Sequence, residues 1–216
     1  MPSWAAVSEL RELKAAWQPS LFGSTPTSSV DACGRRVQLD AASWIELIPG
    51  WLAAADTLFA CLLERLPWQQ RTRPMFERIV LEPRLTAEIH DLTEAPHPSL
   101  RQAADALSTR FGVRYDHVWL NLYRDGQDST AWHRDRFSCR RELCTVPVLS
   151  LGATRRFLIK PRAGGPSHAL RPAAGDLIVM GGRCQRDWVH AVPKAAGVLG
   201  ARISINFQSS EQAHSR

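Results

Sequence analysis

The sequence predicts an α+β domain in which helices precede a β-sandwich or barrel. Three observations support this. Two apolar stripes at helical spacing occupy the first half of the chain. The part beyond residue 115 breaks into short apolar runs separated by turn residues, and two of those runs alternate polar and apolar side chains. At 216 residues the chain is long enough to bury one sizeable core.

The N-terminal residues 1–45 read as an extension. Within it "SELRELKAAW" (8–17) is a short amphipathic helix, and "PSLFGSTPTSSVDACG" (19–34) is a Pro/Ser/Thr/Gly-rich loop or tether. The domain proper runs over 46–212. Its first helix, about 51–66, sets Trp51, Ala55, Leu58, Leu62 and Leu66 on one stripe. The next, about 99–111, starts at a Ser99 cap after Pro98 and spaces Leu100, Ala103, Ala104, Leu107 and Phe111 helically. Strands are expected at 117–124, 145–152, 156–161, 176–180 and 201–208, with "AGGP", "AAGD" and "GG" among the turns between them. No internal repeat is visible.

Composition narrows the function classes. The 27 Lys and Arg against 21 Asp and Glu give a net charge of +6, which permits a nucleic-acid partner without requiring one. Five scattered cysteines with no C-x-x-C predict reduced thiols rather than a disulfide framework or a zinc finger. The N-terminus lacks a basic-then-apolar leader. The longest apolar stretch, "WLAAADTLFACLL", is interrupted by Asp56 and too short to span a bilayer. A soluble cytoplasmic monomer is the expectation.

In "HVWLNLYR", Val118, Leu120 and Leu122 share one strand face, and Trp119, Asn121 and Tyr123 share the other. In "RISINFQ", Ile203, Ile205 and Phe207 oppose Arg202, Ser204, Asn206 and Gln208. Such polar faces meet solvent in most antiparallel sheets. They can also line the interior of a small barrel whose outer face is apolar.

The stretch "NLYRDGQDSTAWHRDR" (121–136) places His133 and Asp135 two residues apart, the spacing that aims both side chains at one point on a strand. A third ligand comes from the remaining histidines, 90, 97, 117, 168, 190 and 214. His190, in "QRDWVHAVP", sits between two expected strands among apolar residues, whereas His168 lies in a Gly/Pro/Ser loop and His214 in the tail. Two His and one carboxylate make the facial triad of non-haem Fe(II) oxygenases. Zinc accepts the same ligands, and a partly buried, hydrogen-bonded histidine is the structural alternative for His190.

Taken in order, N-x-Y, H-x-D, His190 and then Arg202 opening a strand, this chain resembles the AlkB family of Fe(II)/2-oxoglutarate-dependent dioxygenases. The matching text is "NLYRDGQDSTAWHRDR", "LSLGATRRFLIKP", "GDLIVMGGRCQRDWVHAVP" and "RISINF", with a looser likeness through "RPMFERIVLEPRLTA". The resemblance implies a double-stranded β-helix (jelly-roll) core with N-terminal helices packed on it. It implies that His133, Asp135 and His190 bind Fe(II). Asn121 and Tyr123 would contact 2-oxoglutarate, and Arg202 would pair with its distal carboxylate, with Ser150, Ser204, Asn206 and Gln208 lining the same pocket. The implied reaction uses O₂ and 2-oxoglutarate to demethylate N-alkylated bases in DNA or RNA, releasing succinate, CO₂ and formaldehyde. A base in a duplex would have to be flipped out to react.

A substrate lid is expected at about 68–95, with Met75, Phe76 and Arg84 as candidate base contacts; Met75 and Phe76 are equally plausible core residues. Arg134, Arg136, Arg140 and Arg141 form a basic rim beside the metal motif, read as phosphate contacts. The chain departs from the family's pattern twice. Gln208 stands where the last motif usually carries a second Arg, which weakens the expected hold on 2-oxoglutarate. "EIHD" follows "EPRLTA" where relatives often have an aromatic covering the base. Two alternatives stay open: an oxygenase of this fold acting on a protein or small molecule, and a metal- or nucleic-acid-binding module without turnover.

Overall fold

The computed structural model describes residues 25–29, 32–75, 78–135 and 139–213. The expected helix at 8–17 lies outside them. In chain order the strands are β1 (Thr27–Ser28), β2 (Arg35–Gln38), β3 (Ser43–Ile48) and β4 (Leu52–Ala53), followed by helix α1 (Ala55–Arg65). Next come β5 (Thr72–Met75), β6 (Arg78–Leu81), β7 (Leu85–Ile89) and helix α2 (Pro98–Phe111). Then follow β8 (His117–Tyr123), β9 (Thr130–His133), β10 (Cys144–Gly152), β11 (Phe157–Pro161), β12 (His168–Leu170) and β13 (Leu177–Gly182). The chain closes with α3 (Cys184–Asp187), β14 (Trp188–Val192), β15 (Arg202–Gln208) and α4 (Ser210–Ala213).

Seven strands form one sheet in the order β2-β3-β13-β10-β15-β8-β7, and four form a second in the order β12-β11-β14-β9. All the pairings are antiparallel. The period-two alternation is what assembles them. Val118, Leu120, Leu122, Ile203, Ile205 and Phe207 turn to one face of the larger sheet and pack with apolar residues of α1 and α2. The other face packs against the smaller sheet through a second apolar cluster that includes Ile45, Val146, Val148, Phe157, Ile159 and Trp188. Asn121, Tyr123, Arg202, Ser204 and Asn206 therefore point between the sheets. Of the two readings of those polar faces, the inward one holds.

Local signals set the helix ends. The expected Ser99 cap is corrected to His97, which accepts from the Ser99 amide at 3.2 Å; Pro98 occupies the first turn of α2, and Gly112 ends the helix at φ 63°. At α1 the expected start moves from 51 to 55, because Leu52 and Ala53 pair with β1 and Ala54 adopts φ 51°. Strands β2 and β3 bring residues 35–48 into the larger sheet, where Glu46 is buried between Arg36 and Arg110.

Arg155 is 1 % exposed and donates to the carbonyls of Asp125, Asp128 and Pro193 at 2.6–2.8 Å. It thereby fastens the loop between β8 and β9 to the segment leaving β14. The expectation of reduced thiols throughout is corrected at one pair. Cys139 and Cys144 are disulfide-bonded with Cα atoms 5.9 Å apart, while Cys33, Cys61 and Cys184 are free. A short surface loop entering β10 brings the two sulfurs together, which scattered spacing in the sequence did not reveal. In denaturant without reductant, three of the five cysteines should react with a thiol reagent, and five after reduction. Five reactive thiols before reduction would contradict the bridge.

Candidate active site

Strands β9 and β14 pair with His133 directly opposite His190, which sets the two imidazole rings 4.2 Å apart. Asp135 follows just past the end of β9. Its Oδ1 lies 3.6 Å from His133 Nε2 and its Oδ2 3.5 Å from His190 Nε2. The three ligand atoms all fall within 4.8 Å of one another. The carboxylate–imidazole separations exceed good hydrogen-bond length, so the three donors surround a point rather than bond each other.

Several contacts aim this triad. His133 Nδ1 lies 2.9 Å from the Ala131 carbonyl, which suits the tautomer with Nδ1–H and leaves Nε2 as the ligand atom. The Asp135 amide donates to Gln185 Oε1 at 2.8 Å, and Asn206 Nδ2 donates to Asp135 Oδ2 at 3.0 Å. Burial acts to raise the Asp135 carboxyl, but the close imidazoles of His190 and His133 prevail and hold it far below the usual carboxylate range. Burial pushes His190 down despite Asp135. At His133 burial acts downward too, but Asp135 outweighs it and the net shift is upward. A metal requires the carboxylate ionised and both imidazoles neutral: the Asp135 and His190 shifts favour this, and the His133 shift opposes it.

Deeper between the sheets, Arg202 is 1 % exposed. Its Nη2 donates to Ser150 Oγ at 2.9 Å, and its Nε and Nη1 have no partner among the described residues. Burial pushes its pKa down, with Tyr123 opposing that shift. A buried guanidinium with two unmet nitrogens is strongly unfavourable unless an anion meets it. The Tyr123 ring stands between Arg202 and Arg155, with its centroid 5.4 and 5.6 Å from their guanidinium carbons, and its hydroxyl shares a 2.8 Å hydrogen bond with Thr130.

A cavity of about 670 Å³ joins the triad to Arg202 and is also bordered by Asn121, Tyr123, Ser204, Asn206 and Gln208. Its outer wall carries Arg84, ion-paired with Glu82 at 3.0 Å and donating to Asn121 Oδ1 at 2.8 Å. The Arg71 guanidinium carbon lies 4.4 Å over the Trp119 ring. A metal on two histidines and a carboxylate, with a dicarboxylate reaching to Arg202, fits this donor set and the unmet nitrogens of Arg202.

Of the basic rim, Arg134 borders the cavity, whereas Arg140 and Arg141 do not. The loop holding those two packs on α3, where Arg186 donates to both their carbonyls at 2.8 and 3.1 Å. Arg136, Phe76 and the Met75 side chain lie outside the described residues, and β5 ends at Met75 in the β5–β6 hairpin. Gln185 and Arg155 escaped the sequence reading because their partners are distant in the chain. Trp119, on the polar face of β8 beside Asn121 and Tyr123, also borders the cavity, a role that strand alternation alone does not signal.

Comparison with known proteins agrees with this geometry. The chain is 31% identical over 185 residues to the bovine alpha-ketoglutarate-dependent dioxygenase alkB homolog 3, covering 76% of this chain and 65% of that protein. Identity to the human alkB homolog 3 is 30% with the same coverage. The chain thus spans just under two thirds of the length of these relatives. It is 28% identical to the DNA oxidative demethylase ALKBH2 of Arabidopsis thaliana, over 85% of this chain and 72% of that one. Among solved structures, a 2OG-Fe(II) oxygenase family protein of Burkholderia pseudomallei shares the fold at a TM-score of 0.53 and 18% identity, over 79% of this chain and 86% of that one. The expected jelly-roll architecture is therefore the observed one. With the sequence profile of the 2OG-Fe(II) oxygenase superfamily matching residues 45–208, the chain belongs to that superfamily, and its curated relatives lie in the AlkB family.

Proposed function

We propose that the protein is an Fe(II)- and 2-oxoglutarate-dependent dioxygenase that removes N-methyl groups from bases in DNA or RNA. The observation that carries this reading is Arg202, buried with two unmet guanidinium nitrogens beside the cavity that also holds His133, Asp135 and His190. Those three residues would hold Fe(II). Arg202, supported by Ser150, would anchor the distal carboxylate of 2-oxoglutarate, with Tyr123, Asn121, Ser204 and Asn206 along its length.

Bound Fe(II) and 2-oxoglutarate supply, with O₂, an oxidation that yields succinate and CO₂ and hydroxylates the substrate methyl, which then leaves as formaldehyde. This chain's residues orient and shield that chemistry. Asn206 and the Gln185 side chain hold Asp135 in place, the Thr130 hydroxyl holds the Tyr123 hydroxyl, and Arg155 lies against the Tyr123 ring. The sheets exclude water from the Arg202 end. At the open end Trp119 offers a stacking surface and Arg134 positive charge suited to a nucleotide, beside the Arg71–Glu88 and Arg84–Glu82 ion pairs. The names of the relatives, two of them alkB homologs and one a DNA oxidative demethylase, support the substrate class.

Gln208 lies six residues beyond Arg202 on β15, opposite His117. That is a separation of about 20 Å along the strand. Gln208 therefore lies two residues past Asn206, toward Asp135, where a neutral amide makes a weaker contact to the 2-oxo acid end of the ligand than an Arg would, a difference of about 1 kcal/mol.

Two experiments test the proposal. In a panel of short DNA and RNA oligonucleotides, each with one N-methylated base, at least one should stimulate 2-oxoglutarate decarboxylation and release formaldehyde. His190→Ala should abolish this, and His168→Ala, at the exposed strand β12, should not. Equal effects of the two substitutions would mean that the third ligand is misassigned. In a titration of the Mn(II)-loaded protein, Arg202→Ala should nearly abolish 2-oxoglutarate binding, and Gln208→Arg should tighten it about fivefold. Weaker binding in Gln208→Arg would identify the amide as an adapted feature of the pocket.

A further inference from the structure

A second cleft lies on the outer face of the smaller sheet. Trp132 precedes His133 on β9, so its side chain projects to the opposite side from the metal triad. It is 40 % exposed, and the Lys160 ammonium sits 4.4 Å over its ring. Beside it runs a cleft of about 230 Å³ bordered by Pro83, Arg84, Trp132, Leu158 and Lys194, among others. None of the residues bordering it is acidic. Neither Lys160 nor Lys194 has an ion-pair partner among the described residues. Arg84 borders both this cleft and the main cavity. A polymer with one unit in the cavity can therefore cross Arg84 and continue along Trp132.

Lys160 stacks on the indole, and buried Ala191 borders the same cleft. Neither accounts for the exposed part of the indole or for two lysines beside it without a carboxylate partner among the described residues. An aromatic surface flanked by cations, with no acid nearby, is the chemistry that stacks a base and meets its phosphates. We propose that this cleft is a subsite for a nucleotide flanking the one whose base enters the cavity. The flanking base stacks on Trp132, and the flexible Lys160 stem moves its ammonium from the ring to a phosphate, with Lys194 on the next. This inference rests on the nucleic-acid reading of the main site and adds the path of the strand.

The test measures binding of a fluorescent single-stranded oligonucleotide with one central N-methylated base to the full chain loaded with Mn(II) and 2-oxoglutarate. Trp132→Ala should weaken binding about tenfold, as expected for loss of one base–aromatic stack, and Trp132→Phe should restore most of it. The pair Lys160→Ala and Lys194→Ala, surface changes independent of the indole, should flatten the plot of log affinity against log salt by about 1.4. If the wild type binds the strand and both the Trp132→Ala affinity and the double-lysine slope are unchanged, the subsite is overturned and the nucleic-acid reading stands. If the wild type binds no oligonucleotide of any kind, both are overturned.

Discussion

The structure turns on a buried cation without enough protein partners. Arg202 opens β15, the strand that pairs with β10 on one side and β8 on the other, and Ser150 is its one hydrogen-bond acceptor among the described residues. Burying a guanidinium this way is unfavourable unless an anion completes it. The surrounding architecture is arranged to permit that. Ile203, Ile205 and Phe207 anchor the opposite face of β15 on the helices, so Arg202, Ser204 and Asn206 cannot turn out to water without exposing the core.

The triad depends on the same pairing logic in the smaller sheet. His133 and His190 are neighbours because β9 and β14 are adjacent and in register at that one position, with the register shifting between His190 and Val192. Asp135 lies beyond the strand end and depends on contacts from elsewhere. Asn206 reaches it from the larger sheet and Gln185 from α3. The His133–Asp135–His190 cluster and Arg202 are therefore linked through β15, which supplies both Arg202 and Asn206. A change in sheet packing that shifts one shifts the other.

Much of this was legible in the sequence where local pattern and burial agree. The alternation in β8 and β15 and the apolar runs of β10, β11 and β13 gave strands within about two residues of those observed. Helix α2 was legible from Pro98 and its apolar spacing. Strand β3 was hidden because buried Glu46 interrupts its apolar pattern, and that residue is tolerated only through Arg36 and Arg110. Strand β9 was hidden because Ala131 and Trp132 are exposed, so a strand carrying a metal ligand looked like a polar loop. The H-x-D spacing was still legible, although Asp135 lies past the strand end and is brought to His133 by Asn206 and Gln185 rather than by strand geometry. In the basic rim, Arg134 borders the cavity, while Arg140 and Arg141 sit in a loop whose carbonyls Arg186 holds against α3.

The central claim is that one inter-sheet cavity binds a metal at His133, Asp135 and His190 and a dicarboxylate reaching to Arg202. A crystal structure of the protein grown with Mn(II) and 2-oxoglutarate tests this most directly. The account predicts one metal ion bonded to all three residues and to the 2-oxo acid end of the ligand, with the far carboxylate on Arg202 Nε and Nη1. A metal bound elsewhere, or a dicarboxylate that leaves Arg202 unmet, would contradict it.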